Sequence, residues 1–132
     1  MNTQDAGLTW LRLAAVYFSL AVLLGISMGL SGDHSLFPVH AHINLLGWVS
    51  MALTGLIYRH FPEAGRNRLA KTQFWLYNLG LPVMMVSLTL KLTGFPQIEP
   101  VLGISSLVVA CGVVLFTVNL LLHARPAPQP LN

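Results

Sequence analysis

Residues 101–123 read VLGISSLVVACGVVLFTVNLLLH and contain no Asp, Glu, Lys or Arg. A helix of about 20 apolar residues can cross the ~30 Å hydrocarbon core of a bilayer. Three similar stretches precede it, at about residues 8–30, 39–58 and 72–92. The whole chain of 132 residues is 55% hydrophobic and 8% charged, whereas about a quarter of the residues in soluble domains are charged. We therefore expect an all-α membrane protein, with a four-transmembrane-helix bundle at 1–123 and a proline-rich, disordered tail at 124–132.

The first apolar stretch has a second interpretation as a cleaved signal peptide, with Arg12 in the charged n-region and a cleavage zone at 29–32. Its apolar part, residues 13–30, is longer than the roughly 7–15 residues of a usual h-region. We therefore interpret it as a retained span.

Basic residues are divided unequally between the two ends of the four spans. With the polar turn at 31–35 placed outside the cell, six cations fall on the inner side and one near the outer side: Arg12, Arg59, Arg66, Arg68, Lys71 and Arg125, against Lys91. The positive-inside rule then predicts that both termini are cytoplasmic. A net charge of +3 scattered around spans does not indicate a nucleic-acid-binding protein.

Two histidines enter the outer end of the second span, in the stretch FPVHAHINLLGW at residues 37–48. Ionisable side chains at this depth are costly and usually functional. Residues two apart on an α-helix differ by ~200° in direction, so His40 and His42 should face nearly opposite sides and suit two separate sites. Imidazole is a common axial ligand of heme iron, and a flat macrocycle with apolar edges fits between membrane helices.

The neighbours of these histidines suit a cofactor site. Asn44 and Gly47 follow His40 by four and seven residues and share its helical face. Asn44 could hydrogen-bond the second imidazole nitrogen, and Gly47 could leave space for a porphyrin edge. Trp48 lies far enough along the helix to contact a cofactor. The candidate cofactor-binding residues are therefore His40 and His42, as the two iron ligands, together with Asn44, Gly47 and Trp48.

The segment HAHINLLGW at 40–48 resembles the heme-ligand helices in the catalytic subunits of heme–copper oxidases and nitric oxide reductases. Those subunits contain twelve helices in three pseudo-repeats of four. In one repeat a His-x-His pair serves two hemes; in another, a single histidine, followed in some members by x-Asn, completes the low-spin heme. Pro38-Val39-His40 and His42-Ile43-Asn44 match parts of these patterns.

The resemblance implies a heme b protein that forms a homotrimer, with three four-helix chains imitating one twelve-helix subunit; a dimer with fewer hemes is the alternative. His42 of one chain and His40 of the next would ligate a heme at each subunit boundary. Bis-histidine iron favours electron transfer, whereas five-coordinate iron would favour binding of a diatomic gas. The additional His-His pair and the tyrosine of the copper centre are missing, which argues against full reduction of oxygen to water and leaves open whether the chain is an enzyme. The resemblance also implies a bacterial inner membrane, where electrons would come from a docked partner or the quinone pool.

Three other interpretations of the histidine pair remain open. The histidines could contact lipid headgroups and water at the interface. They could bind copper or zinc, with His34 and ligands from several chains completing the site. The chain could also be a heme-free assembly or stabilising subunit of a respiratory complex, in which the second span only packs.

Other residues predict details of packing. Pro38 suits the first turn of the second span, and Pro82 predicts a kink in the third. Gly25 and Gly29 have the GxxxG spacing of close helix contacts. Interhelical hydrogen bonds are expected from three polar residues within the spans: Gln73, Asn78 and Asn119.

Overall fold

A computed structural model describes residues 3–125, and their side chains from residue 7 onward. Helix α1 spans Thr3–Ser31. The second span is one continuous helical rod composed of α2 (Phe37–His42), a π-helix (Ile43–Ser50) and α3 (Met51–His60). A short helix, α4 (Pro62–Arg66), leads to α5 (Arg68–Leu92), and a 3-10 turn (Pro96–Ile98) leads to α6 (Glu99–His123). Of the predicted tail at 124–132, residues 126–132 lie outside the described residues.

The described residues form helices and turns, without strands, as the composition predicts. Four helical stretches are long and apolar enough to cross a membrane: Gly7–Ser31, Phe37–His60, Arg68–Leu92 and Pro96–His123. Their outward faces carry large apolar side chains, such as Leu30 (86% exposed) and Leu121 (81% exposed). Such exposure is unfavourable in water but suits lipid-facing surface.

A tight turn separates α1 from the second span. Gly32 has a φ of +69°, the left-handed conformation that glycine adopts without steric cost. The Ser35 N–H donates to Oδ1 of Asp33 at 2.9 Å, and this backbone bond lowers the pKa of the exposed Asp33 carboxyl because it favours the charged form. Pro38 lies in the first turn of α2, as predicted.

The connection after the second span is more ordered than the sequence predicts. The interval expected to be a loop contains α4, and α5 begins at Arg68 instead of near residue 72. Asn67 explains this earlier start, because its Oδ1 accepts the N–H of Ala70 at 2.9 Å and caps the helix. At the position of the predicted kink, α5 continues through Pro82 to Leu92.

The bundle consists of two closely packed helix pairs. Helix α1 packs along the second span, and α5 packs along α6. Large side chains connect the pairs: the Trp10 ring meets Phe74 and Tyr77 edge-on, with ring centroids 5.3 and 5.7 Å apart. The Tyr58 ring meets Phe116 in the same manner at 5.7 Å. These aromatic residues belong to the hydrophobic core between the two helix pairs.

A buried polar network connects α3, α4, α5 and α6 at the end of the second span remote from His40 and His42. Tyr58 donates to Oε1 of Gln73 at 2.5 Å. The fully buried Asn119 donates to the Tyr58 hydroxyl at 3.1 Å and to the Ala64 carbonyl at 2.7 Å. Its Oδ1 accepts from Asn67 at 2.5 Å.

The expectation of interhelical hydrogen bonds is confirmed for Gln73 and Asn119 and is wrong for Asn78. The Asn78 amide donates to the Phe74 carbonyl at 2.9 Å, one turn back in its own helix. A polar side chain in an apolar helix can satisfy its donor locally in this way, so its presence alone does not indicate a partner on another helix.

Candidate functional site

His42 presents its imidazole to the outside of the bundle. The side chain is exposed, and its Nδ1 lies 2.7 Å from the Pro38 carbonyl oxygen, one turn earlier in the same helix. Since a carbonyl can only accept, Nδ1 carries the proton and donates, which leaves the Nε2 lone pair free. Metal-binding histidines usually have this arrangement, with the second ring nitrogen bonded to a carbonyl or carboxylate.

His40 faces the interior of the chain, where it packs against α1. A Cβ atom added at Gly25 would lie 2.9 Å from His40 Cε1, so the ring occupies space that exists because residue 25 has no side chain. The His40 Nε2 lies 3.3 Å from Nδ2 of Asn44, which also donates to the His40 carbonyl at 3.0 Å. The Asn44 amide thus holds both the backbone and the ring of His40.

The other ring nitrogen of His40 is unsatisfied. Nδ1 is buried and has no hydrogen-bond partner among the residues that the structure describes. A buried polar atom without a partner costs about 1–3 kcal/mol. Such exceptions are uncommon and often mark a functional position. The His40 Nδ1 could therefore make one more hydrogen bond, for which the described residues of this chain provide no partner.

The two histidines lie on different faces, as the helical spacing predicts. Gly47 lies on the α1 side with His40, but the Tyr17 ring fills the space beside it, since a Cβ at residue 47 would lie 2.6 Å from Tyr17 Cδ1. Trp48 is half-buried, with its ring 4.6 Å from that of Phe18. Both residues have packing roles within the chain, and their contact with a cofactor stays a prediction.

The helix changes from α to π immediately after the histidine pair. The π-helix spans Ile43–Ser50, and its wider turns redirect backbone carbonyls. The Tyr77 hydroxyl of α5 donates to the Leu46 carbonyl at 3.0 Å, and Ser50 Oγ donates to the Leu45 carbonyl at 2.7 Å. π-helical turns are rare and frequently occur at functional sites. Here the π-helix separates the histidines from the regular remainder of the span.

Sequence reasoning missed two residues that shape this site. Gly25 was interpreted only as part of a GxxxG packing signal, yet it accommodates the His40 ring, whereas Gly29 has no neighbour within 4 Å of its Cβ position. Tyr77 supports the π-helix from another span. The glycine in the neighbouring span was a usable signal for the contact between Gly25 and His40. No sequence pattern indicated the hydrogen bond from Tyr77 to the π-helix.

A copper or zinc site is not assembled within the described residues, which contain no group of three or more His, Cys, Asp or Glu side chains placed to hold a metal. His34 lies in the exposed turn, with Nδ1 3.1 Å from the Gly32 carbonyl oxygen. A metal site that uses it would need ligands from more than one chain, which stays a prediction.

The outward-facing histidine is the one compatible with heme iron in its present position. His42 offers an outward-facing nitrogen with its other nitrogen anchored. The buried His40 Nδ1 carries the ring proton, because Nε2 accepts from Asn44, so this ring would have to turn before it could bind iron. Comparison of the chain with protein-family models, curated proteins and solved structures found no match. The geometry of these side chains therefore gives the best indication of function.

Proposed function

We propose that this chain is a heme b-binding membrane protein that transfers electrons through hemes held between chains. The observation that supports this most strongly is the His42 side chain, which is exposed at the surface of the bundle with Nδ1 anchored to the Pro38 carbonyl. The imidazole is exposed on a membrane span and needs no other hydrogen bond from its own chain. It is therefore suited to bind a ligand located between chains.

The second iron ligand in this proposal is His40 of a neighbouring chain in a homotrimer. Its ring must first leave Asn44 and turn away from Gly25, so the two histidines have different roles: His42 is already presented, and His40 is released on assembly. The unsatisfied Nδ1 lowers the cost of this release, because that nitrogen loses no hydrogen bond when the ring moves. A ring of three chains uses the two different faces of the second span in a heterologous interface.

Heme bound in this manner would supply a one-electron redox centre, and two histidine ligands would leave no open position on iron. Electron transfer therefore ranks above binding of a diatomic gas. The residues of the chain would set iron ligation and exclude water through the apolar surface around the second span. A quinone or a docked redox protein would provide the electrons.

The proposed topology places both termini in the cytoplasm of a bacterium and His40 and His42 near the outer face of its inner membrane. The six cations at the opposite end support this orientation. The electron donor or acceptor would then reach the hemes from the outer side or from within the bilayer.

The test is the absorption spectrum of the protein purified in mild detergent, oxidised and then reduced with dithionite, with a pyridine hemochrome assay. The proposal expects a sharp reduced α band and about one heme b per chain. His42→Ala should abolish heme retention, and His40→Ala should remove the second ligand. His60→Ala, at the other end of the same span, is the matched control and should keep the full spectrum. A protein that stays colourless after heme supplementation would contradict the proposal.

A heme-free packing role is the second candidate, because the His40 ring packs against Gly25 and contacts Asn44 within the chain, without any cofactor. In that case the second span only packs, as in a stabilising subunit of a larger complex. Both histidine variants would then remain folded, colourless and unchanged in oligomeric state, which distinguishes this candidate from the first.

A further inference from the structure

A cavity of about 430 Å³ opens at the end of the bundle remote from His40 and His42. It lies where the early part of α1, the end of α3, the α4 connection and the start of α5 converge. Its lining residues include three cations and four large aromatic side chains: Arg66, Arg68, Lys71, Trp10, Tyr58, Phe74 and Trp75.

The cations of this cavity have no acidic partner among residues 7–125. Arg66, Arg68 and Lys71 are all exposed, and none of the described residues that line the cavity is acidic. Across residues 7–125 the structure contains one ion pair, between Lys91 and Glu99, and it does not involve these cations. The cavity therefore offers three positive charges without a counterion from the described side chains.

Two further features favour an anion at this position. The cavity adjoins the start of α5, a helix of 25 residues, and the partial positive charge of a helix N-terminus adds to that of the side chains. The polar network of Tyr58, Asn67 and Asn119 fixes the adjoining wall, since each of these side chains is hydrogen-bonded to another helix or to the connection. The helix N-terminus and the hydrogen-bonded wall are both present without any rearrangement of the side chains that line the cavity.

The remaining lining is apolar. Trp10 is 1% exposed and forms the inner wall with Phe74, whereas Trp75 is 53% exposed at the mouth. Tryptophan favours the boundary between headgroups and acyl chains. A ligand that fits both parts has a compact anionic group and an attached hydrocarbon portion.

We propose that this cavity binds the phosphate headgroup of an anionic phospholipid, with Arg66, Arg68 and Lys71 around the phosphate and the acyl chains leaving along Trp75. The spans end at this level, so the cavity lies at the bilayer boundary, where lipid headgroups are located. Basic pockets between membrane helices are suited to such headgroups. The site is remote from the histidines and does not depend on heme binding.

The experiment is native mass spectrometry of the full chain in detergent, titrated with phosphatidylglycerol or with phosphatidylcholine of the same acyl composition. Phosphatidylglycerol should bind at least about ten-fold more tightly. The double variant Arg68→Gln/Lys71→Gln should weaken its binding about 30-fold, at roughly 1 kcal/mol per cation. The matched control is Arg12→Gln/Arg125→Gln, which removes two exposed cations outside the cavity lining and should change binding less than three-fold.

Lys71→Arg keeps the charge and should preserve binding, and unchanged thermal midpoints would show that the variants are folded. Equal binding of the two lipids would overturn the proposal. Equal losses in the double variant and its control would also overturn it, because they would indicate only general attraction to the basic end. Inorganic phosphate that binds the chain and is lost in the double variant, without selectivity between the lipids, would assign the cavity to a free anion and overturn the lipid assignment.

Discussion

Gly25 and His40 make a contact that depends on the absence of a side chain. A methyl group at residue 25 would lie 2.9 Å from the imidazole Cε1, closer than carbon atoms pack. The ring must therefore move, or the two helices must separate. At the level of single residues, this glycine keeps His40 inside the chain and next to Asn44.

Gly25→Ala should lower the free energy of unfolding by about 1 kcal/mol or less, because the atoms it meets are at the end of the His40 side chain, which can turn, and alanine favours the helix over glycine. The measurement is the thermal midpoint in detergent. Gly29→Ala is the matched control, since nothing lies within 4 Å of that position, and its midpoint should not fall. The double variant Gly25→Ala/His40→Ala should recover part of the loss because no ring remains to clash. Equal midpoints for Gly25→Ala and Gly29→Ala would contradict this contact.

At the scale of elements, the π-helix depends on a hydroxyl from another span. Tyr77→Phe removes the donor to the Leu46 carbonyl and should destabilise the protein by about 1 kcal/mol. Amide hydrogen exchange should become faster in residues 43–51 and change little in α6. Tyr17→Phe is the control, because its ring packs on Gly47 and its hydroxyl makes no hydrogen bond among residues 7–125. Unchanged exchange in Tyr77→Phe would show that the π-helix needs no such support.

The buried network that joins the helix pairs gives a second prediction at this scale. Asn119→Leu keeps the branched shape and the number of heavy atoms but removes the donor to Tyr58 and Ala64, and we expect a loss of about 1–3 kcal/mol. Denaturant titration in micelles measures it. Asn78→Leu should have a small effect, since that amide bonds only to its own helix. A larger loss for Asn78→Leu than for Asn119→Leu would refute this view of the network.

Elements that depend on local composition were predictable from the sequence, and those that depend on contacts between spans were not. The four apolar stretches and the Pro38 start follow from residue type alone. The π-helix is different, since the Leu46 carbonyl is bonded by Tyr77, 31 residues away. The different faces of the histidines followed from helical period, but the packing of His40 against Gly25 required knowledge of which span is adjacent.

At the scale of the whole molecule, chemistry is divided between the two ends of the bundle. The histidine pair lies at the start of the second span. The three cations of the cavity, Arg66, Arg68 and Lys71, lie near the opposite end of that span and the start of α5. The ends of a membrane bundle face different compartments, so these two sites would meet different partners. The division is consistent with redox ligation on one side and lipid anchoring on the other.

This division makes the orientation testable with a pair of single cysteines. In a Cys111→Ala background, Ser35→Cys should react with a membrane-impermeant maleimide in intact bacterial spheroplasts, because residue 35 lies in the exposed turn beside the histidines. Glu63→Cys, in α4 at the basic end, should react only after the membrane is permeabilised. Both side chains are exposed, so the reagent can reach either cysteine from its own side of the membrane. The reverse pattern would place the histidines on the cytoplasmic side, and any heme there would exchange electrons with cytoplasmic partners.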